Sequence, residues 1–202
     1  MFFQRDGKRN YCTKGDGMLI GLAGKKQSGK SLVTSYLCGV FDFHEVSWAY
    51  PLKEIIGRQL FGLDDDVLYG DSPKREEIIT QWGMSGRQIL QVVGTDLFRQ
   101  HFDENFWVKV GVQRIMIELA KKHNVVVSDC RFPNELDTIR QFGGTTCKII
   151  KLAKKLEHED LHESERALDK YTNFDYTLTA GQGDVEGLKS QAKQMIHTIK
   201  GV

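Results

Sequence analysis

Residues 18–32 read Met18-Leu-Ile-Gly-Leu-Ala-Gly-Lys-Lys-Gln-Ser-Gly-Lys-Ser-Leu32. The run from Met18 to Ala23 is apolar and has the length of a buried strand. Gly24-Lys25-Lys26-Gln27-Ser28-Gly29-Lys30-Ser31 then fits G-x-x-x-x-G-K-[ST]. Beyond it, Leu32, Val33, Tyr36 and Leu37 share one face of a helix. Strand, glycine-rich loop and helix in that order are the context this motif requires. The glycines let backbone N–H groups curl round a phosphate, and the helix N-terminus adds partial positive charge. Lys30 suits the β- and γ-phosphates, and the Ser31 hydroxyl suits Mg²⁺. The stretch therefore implies binding of a nucleoside triphosphate.

The 202 residues suggest one domain, and 40% hydrophobic with 27% charged content suits a globular chain with a real core. A formal net charge of +1 without a basic stripe gives no electrostatic case for nucleic-acid binding. No run approaches the roughly 18 apolar residues of a membrane span, and the N-terminus lacks a signal peptide's apolar stretch. Cys12, Cys38, Cys130 and Cys147 are scattered without a C-x-x-C pair, so a reduced, cytoplasmic location is the simplest reading. Residues 1–17 are polar after the first three and read as an extension to a domain spanning 18–202. Lys14-Gly-Asp-Gly-Met18 can be encoded by AAAGGAGATGGNATG, a ribosome-binding sequence just before a start codon. Met18 is thus expected to be the natural start, with 1–17 a mis-annotated leader.

Outward from the loop, His44–Trp48 reads as a strand, and Pro51 opens a helix to about Leu60. Residues 61–75 read as a loop whose Asp64-Asp65-Asp66 is better taken as a turn or helix cap than as a cation site. Ser85 N-caps a helix ending near Gly94, with Arg87, Gln91 and Gly94 in one row; pattern alone favours a solvated face for that row. Residues 107–122 form an amphipathic helix. Val125–Asp129 is a second buried strand ending in an acid, followed by a helix to Phe142. Ligands of parallel sheets sit beyond the strands' carboxyl ends, so Asp129 is placed beside the phosphate loop to hold Mg²⁺ or its waters, with Arg131 in the same crevice. Strands at 145–152 and 174–179 and a helix at about 185–199 complete the chain.

His158-Glu-Asp-Leu-His162 matches the zinc-protease pattern H-E-x-x-H. Residues 153–170 are too charged for a buried catalytic helix, and no third ligand lies close by. A mobile flap that excludes water is the better reading, with Lys154, Lys155 and Arg166 toward phosphates.

The set G-x-x-x-x-G-K-S, W-A-Y-P-L-K, R-Q-I-L-Q-V-V-G-T-D-L-F-R, F-W-V, S-D-C-R-F-P-N-E and H-E-S-E resembles the deoxynucleoside monophosphate kinases of tailed bacteriophages over about residues 18–180. The resemblance implies a P-loop NMP-kinase-like α/β fold, a parallel sheet in three layers, with a mobile lid and a helical NMP-binding region. It implies transfer of the γ-phosphoryl group of ATP to a dNMP with Mg²⁺, for DNA precursor synthesis in the cytoplasm of an infected bacterium. Gly24, Lys25, Ser28, Gly29, Lys30, Ser31 and Leu32 would bind ATP. Arg87, Gln91, Gly94, Asp96, Trp107 and Arg131 would form the acceptor site. Lys30, Asp129, Arg131 and Glu135 would sit at the reaction centre, and Ser31 and Asp129 at the metal. Lys154, Lys155, His162, Glu163 and Arg166 would belong to the lid, about 153–170. Neither nucleic acid nor membrane is implied as a partner, and a homodimer is left open. A dephospho-coenzyme A kinase and a packaging-type ATP-binding module are the alternatives; R-x-x-x-Q-x-x-G-T-D argues against the first, the near-zero charge against the second.

Overall fold

The structure, a computed structural model, describes residues 17–69, 72–152 and 162–201. Residues 1–16 lie outside it, as do 153–161, with Lys154, Lys155 and most of the H-E-x-x-H match. The chain runs β1 (Leu19–Ala23), α1 (Lys30–Phe41), β2 (Phe43–Val46), a wide helix π1 (Leu52–Leu60), α2 (Asp65–Leu68), a small hairpin β3 (Ile78–Ile79) and β4 (Met84–Ser85), then α3 (Gly86–Gln91). It continues through a second wide helix π2 (Val92–Phe102), α4 (Phe106–Ala120), β5 (Asn124–Cys130), α5 (Pro133–Gln141), β6 (Thr145–Leu152), α6 (Glu163–Arg166), β7 (Tyr176–Gly181) and α7 (Val185–Lys200).

Five strands form one parallel sheet in the order β2-β5-β1-β6-β7. β1 lies at its centre, and all five of its residues are buried. Because side chains alternate across a strand, Ile20 and Leu22 pack toward Val33 and Leu37 of α1 and toward Leu188, Ala192 and Met195 of α7. Leu19 and Ala23 pack on the other side with Ile115 of α4 and with Leu136 and Ile139 of α5. The result is three layers, helix on sheet on helix, which is why β1 and the Val125–Val127 stretch of β5 read as apolar runs. Parallel strands share one carboxyl edge, so the loops after β1, β2 and β5 meet there. No helix among the described residues is long and apolar enough to cross a membrane.

Two expectations need correction. Ser85 caps α3 through the reciprocal pair Gln88 N to Ser85 Oγ (3.2 Å) and Ser85 N to Gln88 Oε1 (2.9 Å), but the helix does not stop near Gly94. It runs on as π2 to Phe102, where the Asp103 amide donates to the Phe98 carbonyl, five residues back, at 2.8 Å. Gly94 serves contact instead of termination: a Cβ there would stand 2.6 Å from Leu52 Cδ2. Residues 61–75 are also less loop-like than their composition, since they hold α2 and a 3₁₀ turn, Pro73–Glu76. The acid triplet is a cap with surface pairs, as expected: Asp64 accepts from the Val67 amide (3.1 Å), Asp66 from Lys74 (2.6 Å), and Asp65 pairs with Arg58.

π2 also carries a cation into the interior. Arg99 and Glu135 form an ion pair with side chains 6% and 3% exposed. Glu135 additionally accepts the amides of Arg131 (2.7 Å) and Phe132 (3.1 Å), and the Arg99 guanidinium lies 3.9 Å from the Phe132 ring centroid. Burial pushes the Glu135 carboxyl up to about 7, while Arg99 and the two amides act in the opposite direction. Glu135→Leu strands a buried guanidinium and should cost about 3–5 kcal/mol in urea unfolding, much of it recovered by the additional change Arg99→Met. A single variant as stable as the parent would show that the pair does not anchor this segment.

Candidate active site

β1 ends at Ala23, and the chain turns through two glycines in backbone conformations that residues with side chains rarely adopt. Gly24 has φ +158° and Gly29 φ +103°; a Cβ would lie 2.6 Å from the Ile149 carbonyl oxygen at the first and 2.7 Å from Leu188 Cδ2 at the second. α1 therefore starts without a side-chain cap and without an acid in its first turn, leaving the helix's positive end to the loop. Lys30 Nζ arches over that loop, donating to the carbonyls of Gly24 (2.6 Å) and Lys25 (2.8 Å). Ser28 is buried beneath it, and its Oγ has no hydrogen-bond partner among the described residues. Ser31 is exposed, whereas the Leu32 side chain packs against the core.

A cleft opens beside this loop between π1, the α3–π2 helix, α4 and the start of α5. Its walls carry six basic side chains, Lys26, Lys53, Arg75, Arg87, Arg99 and Arg131, against three acidic ones, Asp129, Glu135 and Glu165. That excess of positive charge suits an anion. Arg87, Gln91 and Gly94 all line the cleft, so the row that pattern alone assigned to solvent faces a cavity. Trp107 is buried, lines the same cleft and donates from Nε1 to the Gly94 carbonyl at 2.7 Å. Lys53, from W-A-Y-P-L-K, has its pKa lowered by burial, with Arg75 and Arg131 adding to the effect and Asp129 opposing it.

A smaller cavity lies against the phosphate loop, lined by Gly24, Lys25, Lys148 and Asp169 among others. Arg131, Ser164 and Glu165 line both cavities. Glu165 is the hub of this boundary: its carboxylate accepts from Arg131 Nη1 and from Arg87 Nη2 (3.4 Å), with its side chain 11% exposed. Its backbone carbonyl accepts from Lys25 Nζ at 2.7 Å, and Lys25 also pairs with Asp169. The segment after residue 161 is thus docked on both the loop and the cleft.

Asp129 reaches the cleft with its carboxylate already engaged. Oδ2 accepts from Ser47 Oγ (2.7 Å) and the Ala49 amide (3.0 Å), and Oδ1 from the Trp48 amide (2.8 Å). The acid thereby fastens the turn after β2 to the end of β5. Glu135 also reaches the cleft wall, with its oxygens turned to Arg99 and the amides after β5. Asp96 does not line the cleft; it sits on the outer side of π2 with its carboxylate 3.6 Å from His162 Nε2. His162 caps α6 by accepting from the Ser164 amide (3.2 Å), and Glu163 accepts from Gln100 Nε2 (2.7 Å). Arg166 is exposed, 4.0 Å from Asp169, and lines neither cavity. The sequence reading passed over Lys53, Arg75, Thr95 and Arg99. Lys53 and Arg99 stood inside quoted motifs, and a cation amid apolar residues was the available signal.

Residues 65–192 match the family model described as deoxynucleotide monophosphate kinase. A protein of Acanthamoeba polyphaga mimivirus, provisionally named as a deoxynucleotide monophosphate kinase, is 36% identical over 174 residues, covering 80% of this chain and 87% of that protein. The deoxynucleotide monophosphate kinase of Enterobacteria phage T4 is 26% identical over 162 residues, covering 80% of this chain and 60% of its own length. The deoxynucleoside-5'-monophosphate kinase of Escherichia phage T5 is 25% identical over 138 residues, 64% of this chain and 50% of that one. The chain belongs to the deoxynucleotide monophosphate kinase family.

Proposed function

We propose that this chain transfers the γ-phosphoryl group of ATP to the phosphate of a deoxynucleoside monophosphate. The observation that carries the reading is that Arg131 lines both the loop-side cavity and the larger cleft, and shares the carboxylate of Glu165 with Arg87. A guanidinium at that boundary can hold a group passing from one cavity to the other. In this reading ATP lies on the 24–32 loop, with Lys30 and the amides at the start of α1 on its phosphates. The acceptor lies in the cleft, its phosphate on Arg87 and its base or sugar on Gln91 against Trp107. Lys53 and Arg75 add to the positive field that receives it.

The chemistry asks for positioning and charge neutralisation more than for covalent work. The attacking oxygen belongs to an already ionised phosphate, so no strong general base is needed. Fixed cations aimed at the equatorial oxygens stabilise the charge that spreads there during transfer. Glu165 holds Arg87 and Arg131 at the place the phosphates take, and its carboxylate swings aside there, with the segment still docked, so that one anion is exchanged for another. The docked lid then keeps water from competing as acceptor.

Mg²⁺ fits the donor set in part. Ser31 offers a hydroxyl beside the loop, and Asp129, with three of its four acceptor positions used, offers one more, suited to holding a metal-bound water. When bound, the ion would neutralise phosphate oxygens and orient them. Asp129 and Glu135 act chiefly by positioning the 47–49 turn and Arg131. Asp96 and Arg166 act from the lid contacts, and the cytoplasm is the proposed place of action.

A panel of all deoxy- and ribonucleoside monophosphates, with dephospho-coenzyme A, ATP and Mg²⁺, should give turnover with one or more dNMPs. Phosphorylation of dephospho-coenzyme A alone would overturn the proposal. Arg87→Ala should raise KM for the dNMP by about tenfold or more while changing that for ATP little, as loss of a charge-assisted contact predicts. Equal effects would remove Arg87 from the acceptor site. Glu165→Gln should lower KM for the dNMP by about three- to tenfold, since its phosphate no longer displaces a carboxylate; a raised KM would show that Glu165 assists binding instead.

A further inference from the structure

The sheet edge opposite the phosphate loop holds a second cluster of chemistry-bearing groups. His44 is the second residue of β2, His123 immediately precedes β5, and Glu118 stands in the last turn of α4. β2 and β5 are parallel neighbours with His44 paired to Val125, so the amino ends of the two strands bring both imidazoles together. The rings are stacked, 3.8 Å between centroids and 15° from parallel. Their Nδ1 atoms lie 3.3 Å (His44) and 2.8 Å (His123) from one oxygen, Glu118 Oε2. The three ligand atoms all fall within 4.8 Å of one another, the one such grouping of His, Cys, Asp and Glu among the described residues.

From this geometry we infer that His44, Glu118 and His123 bind a divalent ion of the zinc class, with water completing its shell. Two imidazoles and a carboxylate are a donor set such ions favour. With metal–ligand bonds of about 2.0–2.2 Å, tetrahedral ligand atoms stand about 3.3 Å apart, the present His44–Glu118 separation, whereas His123, hydrogen-bonded to Glu118 at 2.8 Å, must give up that bond and move slightly outward. The two rings must tilt out of their stack to aim both lone pairs at one point. Their side chains are 42% and 34% exposed, which leaves that freedom. The C-terminal carbonyls of α4 add negative potential at the site. Lys121 lies on the other oxygen, Oε1, at 2.8 Å; it is 53% exposed and free to swing away, at some cost in affinity. Since β2 is an edge strand of the sheet, the ion would clip that edge to the α4–β5 turn. The inference does not depend on what the cleft binds.

The test uses full-length chain stripped with a chelator and titrated with Zn²⁺ alone, read by calorimetry and by thermal unfolding. One ion per chain should bind. At Zn²⁺ about 100-fold above its Kd, Tm should rise by roughly 5–10 °C. His44→Phe keeps a stacked ring and removes a ligand; it and Glu118→Gln should each weaken binding by about tenfold or more. Both variants should keep the parent's turnover with ATP and Mg²⁺, which shows that they fold. Absence of saturable binding to the parent overturns the inference. So does unchanged affinity in His44→Phe, or loss of binding on Cys38→Ser alone, which would place the ion on the thiol.

Discussion

The buried ion pair between Arg99 and Glu135 holds the two halves of the cleft in register. It joins π2, which follows the helix bearing Arg87 and Gln91, to the segment that leaves β5 bearing Arg131. Through the amides of Arg131 and Phe132, Glu135 also sets the direction in which the chain leaves the sheet. Burying two charges is costly unless each is well hydrogen-bonded, and both are: Glu135 by two amides, Arg99 by the Glu104 carbonyl at 3.0 Å and by the face of Phe132. Such a pair tolerates little displacement, which is a useful property in the support of a site that must align two substrates.

Asp129 performs the matching task on the other side. By taking two amides and a hydroxyl from residues 47–49, it ties the end of β2 to the end of β5 and presents Trp48, Ala49 and, beyond them, Leu52 and Lys53 to the cleft. The carboxyl edge of a parallel sheet is thus organised by two acids that face inward, while the cations face the cavity. The division is physically sensible: acids satisfied by backbone donors are rigid, and a half-exposed cation such as Arg131 can be exchanged among anionic partners.

Much of this was legible in the sequence. β1 and the Val125–Val127 stretch of β5 are buried on both faces, so they appear as apolar runs; β6 mixes buried and exposed positions and falls at the expected 145–152. The phosphate loop was legible because its glycines answer to backbone geometry that other residues rarely adopt, and the capping box because Ser85 and Gln88 are three apart. The winding of π2 was not. A period of 3.6 places Arg87, Gln91 and Gly94 in one row, but bonds spanning five residues put more residues in each turn, so Thr95 and Arg99 inherit the cleft and Asp96 turns outward. The burial of Arg99 depends on a partner 36 positions away, and the engagement of Asp129 on donors about 80 positions earlier. Local pattern marks Arg99 only as a cation among apolar residues and names neither partner.

Glu165 also bears on how strongly salt should influence the enzyme. A cleft with six cations suggests a steep loss of affinity as ionic strength rises, because each phosphate contact would release bound counterions. Here the counterion of Arg87 and Arg131 is part of the chain, held by the same segment that covers the cavity. In the proposed binding mode an incoming phosphate would displace a tethered carboxylate and release few ions from solution. Binding at those two arginines, as proposed, would be a contest between an intramolecular anion at fixed effective concentration and a substrate at variable concentration, and external salt would weigh on both sides of that contest alike.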